Sequence, residues 1–410
     1  MHLVTINVDS VLIGQPLPVS LRDESGVLLA SKGFVISNRA DLDLMVGRRS
    51  QLYIDAAESE SHMRAYVSKL HSLVREDKTL GQIAGTQISA ADLDTQHNTA
   101  ALGEPNWLDL QSEANTMLRD TLPESFAVRL DRLHHQLSRY TNLNPDGCLF
   151  ALIHLSSTEV RLYSATHAML VCVMCRLAAR EILKWPADLT DTLGKAALTM
   201  NIGMTVLQDR LAQQKEAPSP DQQRQIAQHC QLSLQRLAQL GVMQAAWLEA
   251  VRDHHTQSPG PLRERSEGQR LARLIQRADM FAARLSPRVS RAPESSASAM
   301  KACYFDETQQ MDEAGAALIK AVGIYSPGTY VRLATDEVAV VIKRGTNTTT
   351  PRVAILINRS GMPTGELIVR DTSKREFRIV TGLPHREVKV QINLERLLQL
   401  TKSPISDRLW

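Results

Sequence analysis

The spacing of apolar residues changes along the chain, and the changes divide it into parts. Over residues 1–55 the pattern is short and β-like. Leu17-Pro18-Val19-Ser20-Leu21 alternates, Asp23-Glu24-Ser25-Gly26 reads as a turn, and Val27-Leu28-Leu29-Ala30 as the returning strand of a hairpin. Ser37 to Leu44 is expected to form a short helix leading to Gln51-Leu52-Tyr53-Ile54. Residues 56–106 are polar and mixed. Met63, Val67, Leu70 and Leu73 give Glu60 to Glu76 a helical face, and Gly81 to Asn106 reads as linker. A helical period dominates 107–322. From Tyr325 the period becomes two, predicting strands at Tyr330–Leu333, Val338–Ile342, Val353–Ile357, Glu366–Val369 and Val388–Val390, so 323–410 is expected to be a small β module. The fold class is mainly α, with small β-rich modules at both ends.

Within the helical part, Leu108 to Leu122 and Phe126 to Tyr140 are amphipathic, and the chain breaks at Asn142–Gly147 before Cys148 to Ser156. His167 to Leu183 is apolar almost all round, and a helix without a wet face belongs in the middle of a bundle. Ser219 is a good helix cap, Pro220 suits the first helical position, and Gln222 completes a capping-box spacing. That helix should end at Gly241. Gln244 to His255 and Gly268 to Leu285 follow, and Ser286 to Ser298 is expected to be a flexible loop.

The 410 residues suit two or three domains, and an apolar content of 43% is enough for a real core. A net charge of +3 is too small for a nucleic-acid binder without a clustered basic face. No apolar run is long enough to span a bilayer, and Met1 to Ile6 does not open a secretory signal, so a cytoplasmic protein is expected. The five cysteines have no framework spacing, which fits reduced thiols. Cys172 and Cys175, three apart in an apolar helix, read as core residues.

The candidate chemistry lies between Tyr163 and Arg288. His167 shares a helical face with Leu170, Val171 and Met174; His229 follows Ile226 by one turn; His255 shares a face with Val251 and Leu248; and Asp279 shares one with Ile275 and Leu271. A carboxylate on a buried face is costly unless it is paired or bound to metal. Imidazoles converging on it would suit Fe, Mn, Zn or Ni. The alternative is a metal-free core in which the histidines hydrogen-bond with Asn201 and Asp279. Arg277, Arg284 and Arg288 could meet phosphates, although helical arginines more often form a solvated face. No P-loop, G-x-G-x-x-G, G-x-S-x-G or H-E-x-x-H is present.

In order and context these residues resemble the HD-GYP domain, a branch of the HD phosphohydrolases. Tyr163-x-x-x-His167 matches the first metal histidine and its lead-in. Ala196 to Met204 matches the segment that normally reads A-x-L-L-H-D-I-G-K. His229 matches the histidine of the next helix, His254-His255 the paired histidines, and Ala278-Asp279-x-Phe281-x-Ala283-x-x-Ser286-x-Arg288 the last metal aspartate and its tail. Gly323 to Leu333 resembles the usual exit into a β segment, and Gly14-Gln15-Pro16-Leu17-Pro18 a lead-in module.

The resemblance implies an HD-type helical bundle with two or three metals that hydrolyses cyclic di-GMP. It makes His167, His229, His254, His255 and Asp279 the metal ligands and Arg288 a nucleotide contact. The departures from it fall at its centre. The His-Asp pair is Met200-Asn201, the following lysine is Met204, a glutamate ligand is replaced by Tyr163, and Thr256 to Pro261 lacks the G-Y-P loop. Asn is a weak metal bridge, and a thioether is unsuited to a hard hydrolytic metal. The expectation is a degenerate member that binds cyclic di-GMP or a signalling protein partner, with one divalent metal (Fe, Mn, Zn or Ni) or none. The alternatives are an active phosphodiesterase with a reduced metal site and a purely structural interaction hub. A homodimer is left open.

Overall fold

In the computed structural model, the described residues are 105–402, except 159, 290, 291 and 391, together with parts of 3–55. The helical face expected at Glu60 to Glu76 and most of the linker expected at Gly81 to Asn106 lie outside them. The chain forms two compact units, Met1–Pro105 and Asn106–Trp410.

In the first unit, β1 (Leu3–Ile6), β2 (Leu21–Arg22), β3 (Leu28–Ala30) and β4 (Leu52–Asp55) form an antiparallel sheet in the order β1-β4-β2-β3. The expected return strand is β3, paired with β2 through Leu21 and Ala30. Helix α1 (Arg39–Val46) adds Leu42 to a small core with Leu17, Leu21, Ile36 and Leu52.

The second unit begins with α2 (Trp107–Leu118), α3 (Pro123–Leu143) and α4 (Pro145–Thr158). Next comes α5 (Tyr163–Leu177), continued by a π turn over Ala178–Leu183. All the residues of α5 are buried, as its all-round apolar pattern requires. Against it pack α6 (Ala187–Thr199), α7 (Thr205–Gln213) and, beyond α8 (Pro220–Gln239) and α9 (Ala245–Asp253) in the chain, α10 (Glu267–Leu285); α8 lies against residues 202–204 and α9, and α9 lies against α6 and α10. The expected capping box closes the start of α8: Ser219 Oγ accepts from Gln222 N at 3.3 Å, and Gln222 Oε1 accepts from Ser219 N at 2.9 Å. Gly241, past the end of α8, takes φ +81°, a left-handed conformation that favours glycine.

Two further helices follow, α11 (Ser296–Tyr304) and α12 (Glu313–Val322). The first begins inside the stretch expected to be loop, where Ser295 caps it. Arg277 is also not on a solvated face. It is buried beside Arg273, and both pair with Asp312 and Glu307.

The C-terminal sheet has the order β8-β7-β6-β5-β9, antiparallel throughout, with β5 (Tyr330–Leu333), β6 (Val338–Lys343), β7 (Arg352–Ile357), β8 (Val369–Asp371) and β9 (Ile379–Leu383). Alternation divides its residues between two cores. Tyr330, Val340 and Ile342 pack with Phe150 of α4, while Val331, Ala339 and Val341 face the other way. The strand expected at Glu366–Val369 begins only at Val369. The strand expected at Val388–Val390 is absent; a short helical turn precedes it, and α13 (Leu394–Lys402) follows. Arg344 ties sheet to helices through Asp146 at 2.8 Å and Glu181 at 3.0 Å.

Candidate metal centre

Four helices bring the candidate residues together. His167 lies in the second turn of α5 and Asp279 midway along α10. His229 lies on α8, and His254 and His255 lie just past the end of α9. Because α9 stops at Asp253, the paired histidines occupy a turn, not a helix. His254 is fully buried, whereas the His255 side chain is 50% exposed.

Asp279 divides its oxygens between two imidazoles. Oδ1 is 2.6 Å from His167 Nε2, and Oδ2 is 4.0 Å from His255 Nε2. Burial alone would raise the Asp279 carboxyl, but the His167 hydrogen bond and the neighbouring histidines hold it well below the usual carboxylate range. Tyr163 stacks on His167 at 5.4 Å between centroids, and the Arg288 guanidinium lies over the Tyr163 ring, 3.4 Å from its hydroxyl. Arg288 therefore meets the site through Tyr163.

The remaining histidines are arranged to present lone pairs. His229 Nδ1 lies 2.6 Å from the Ile226 carbonyl and His254 Nδ1 lies 2.8 Å from the Val251 carbonyl. A carbonyl only accepts, so each Nδ1 carries the proton and each neutral ring leaves Nε2 bare. The two Nε2 atoms face each other at 3.2 Å. Two lone pairs at that distance repel unless a cation lies between them. A proton is disfavoured, since burial, reinforced by the charge of His255, pushes His254 down to about 3, and burial also lowers His229. A metal fits better: two imidazoles on one tetrahedral ion stand about 3.3 Å apart. A backbone carbonyl behind each ring is the usual support for a ligating histidine. His255 completes a set whose ligand atoms lie within 4.8 Å of one another.

The positions of the expected His-Asp pair lie beside this cluster. Met200 and Asn201 are both buried, and both line a tight internal gap, too small to hold a water molecule, with His167, Thr205 and Gln208. The expected histidine–Asn201 hydrogen bond is not made. Asn201 Oδ1, His167 Nδ1 and Gln208 Oε1 are all buried without a partner. Met204 lies apart, on the wall of a larger outer groove.

One residue of the centre was missed. Cys230 Sγ is 3.6 Å from His229 Nε2 and 3.8 Å from His254 Nδ1, and burial pushes its thiol up to about 11. Its thiol can donate weakly to His229. Its place next to His229 in sequence was the available signal. Cys172 and Cys175 are buried, as expected of core residues.

No family model matches the chain. The chain is 25% identical over 233 residues to the cyclic di-GMP phosphodiesterase PA4108 of Pseudomonas aeruginosa, a match that covers 55% of this chain and 56% of that protein. In the order of its candidate residues the helical unit resembles the HD-GYP domain. The chain thus spans about half the length of the curated relative it matches. Among solved structures, Bd1817, a HDG"Y"P protein from Bdellovibrio bacteriovorus, aligns with a TM-score of 0.42 at 16% identity, over 77% of this chain and 98% of that chain. The second unit is mainly helical and carries a small antiparallel sheet. Among the described residues, no helix is long and apolar enough to cross a membrane.

Proposed function

We propose that the chain is a degenerate HD-GYP-like protein that acts in cyclic di-GMP signalling by binding the nucleotide or a protein partner, without hydrolysis. The observation that carries this reading is Asn201. It stands where the resemblance expects a bridging aspartate, and its side-chain oxygen is buried without a partner. A two-metal hydrolytic centre needs a carboxylate to compensate two close cations and activate water. Here Asp279 serves the histidines, and His167 already holds one of its oxygens. The similarity to a cyclic di-GMP phosphodiesterase supports the nucleotide class.

His229, His254 and His255 would hold a single divalent ion, with Fe, Mn, Zn or Ni all suited to imidazole. Such an ion would supply Lewis acidity and would lock α8 to the turn after α9. Free thiols at the five cysteines suit a cytoplasmic location.

The test is cyclic di-GMP hydrolysis by the purified chain. No turnover is expected, and the Met200→His/Asn201→Asp double variant is expected to gain some, because it restores both missing ligands. The facing Nε2 atoms favour a second reading, a phosphodiesterase with one metal. Turnover by the unaltered chain that disappears in His254→Ala or Asp279→Asn would establish that reading and overturn the first.

A further inference from the structure

One cavity in the second unit is separate from the histidine centre. It is an open groove of about 640 Å³ between the end of α2, residues 202–210 and the outer face of α8. None of His167, His229, His254, His255 and Asp279 lines it; the segment Ile202–Thr205 forms the wall between. A volume of this size falls in the usual range of small-molecule sites.

The groove is basic. Arg119, Arg210 and Arg236 line it, and no Asp or Glu does. Two of these guanidiniums are held in place. Arg119 is paired with Asp209 and bonded to Asn115, and Arg236 donates to the Asp120 carbonyl at 2.6 Å. Asp120 has its own cation, Arg129. Arg210 is exposed and makes no ion pair or side-chain hydrogen bond among the described residues. Two positive charges, on Arg210 and Arg236, therefore face the groove without a carboxylate of their own.

The facing wall has a different chemistry. Gln225, Gln235 and Gln239 line the groove from α8, along with Leu232. An amide side chain both donates and accepts, as the edge of a nucleobase does. Guanidiniums match phosphate oxygens in geometry and charge. At the near end α7 begins with Met204 as its cap residue, which makes no side-chain capping bond.

We propose that this groove binds a phosphate-bearing nucleotide, with Arg210 and Arg236 on the phosphate and the α8 glutamines on the base. Where the ligand is cyclic di-GMP the inference rests on the proposed function; for nucleotides as a class it stands on the groove alone.

The experiment is a calorimetric titration of the full chain with cyclic di-GMP, GMP and inorganic phosphate. The chain itself, Arg210→Glu, Gln239→Glu and His254→Ala are compared. Arg210 and Gln239 are exposed, so either substitution puts a negative charge in the groove without disturbing the core. Each should weaken nucleotide binding by about tenfold or more, Arg210→Glu by the loss of a charged hydrogen bond and Gln239→Glu by the loss of an amide donor and repulsion of the phosphate. His254→Ala should still bind. Binding that survives both glutamates, or that is lost in His254→Ala, assigns the nucleotide to the histidine centre and overturns the groove while leaving the proposed function standing. GMP binding that depends on Arg210, with no cyclic di-GMP binding, keeps the groove and removes cyclic di-GMP from the proposed function. Binding of inorganic phosphate alone marks an adventitious anion site, and binding of none of the three also overturns the inference.

Discussion

His229 and His254 are each committed to a backbone carbonyl on one side and to each other on the other. The pair has no comfortable neutral state of its own, which makes metal affinity testable apart from catalysis. Added Zn²⁺ or Mn²⁺ should raise the melting temperature of the chain. The gain should be about 2–3 kcal/mol when the ion exceeds its dissociation constant a hundredfold. His254→Ala should lose that metal-dependent increment, whatever it does to the metal-free baseline. A melting curve indifferent to both ions, with no metal in the protein by elemental analysis, would sink the metal reading. The residue types of the centre were legible in sequence because five positions, at four separate places in the chain, matched one pattern in order. Its hydrogen bonding was not. Nothing in the sequence says that Asn201 Oδ1 is left without a partner, or that Cys230 turns toward the rings as well as His229. Those facts depend on how α8 is rotated against the end of α9.

At the scale of the element, local signals were reliable where they had a stereochemical cause. The Ser219–Gln222 box satisfies two orphan amide groups at the start of α8, the helix that carries His229. Ser219→Ala should therefore cost about 1 kcal/mol, seen as a lower denaturation midpoint in urea with an unchanged slope. An unchanged midpoint would mean that the cap contributes nothing to the folded state. Short apolar runs were less reliable, because β-branched residues serve equally well in a half-buried turn. Val388 to Val390 packs its apolar side chains against the sheet without joining its ladder. The spacing of Leu394, Leu397, Leu398 and Thr401 carries a helical period, and Leu397 of α13 is buried on the same core.

At the scale of the whole molecule, two histidines outside the candidate centre, His134 buried and His154 half-buried, stand where structural layers meet. His134 of α3 lies 3.0 Å from the Arg176 guanidinium of α5, and a side chain at Gly194 of α6 would strike its ring. Burial, reinforced by the Arg176 charge, pushes it down to about 4. Asp191 and Asp131 oppose that shift, and Lys195 adds to it. His154 of α4 meets His385, in the turn that follows β9, at 6.4 Å between centroids, and burial followed by the His385 charge pushes it to about 4 as well. Both rings are neutral in the folded chain but take up a proton near pH 6.5 when it unfolds. The unfolded state thus binds more protons between pH 4 and 6.5. Their contribution is full above that window and is lost as pH falls through it, by about 3 kcal/mol for each ring. Acid should therefore weaken the helical crossing and the docking of the sheet together, before most carboxylates titrate. The check is urea unfolding at pH 7.5 and pH 5 for the chain, His134→Gln and His154→Gln. Each glutamine variant should lose less stability between the two pH values than the parent, since it has one fewer ring to protonate. A parent chain equally stable at both values would show that these histidines take up protons in the fold as readily as in the unfolded chain, and would put the positive charge of Arg176 out of reach of His134.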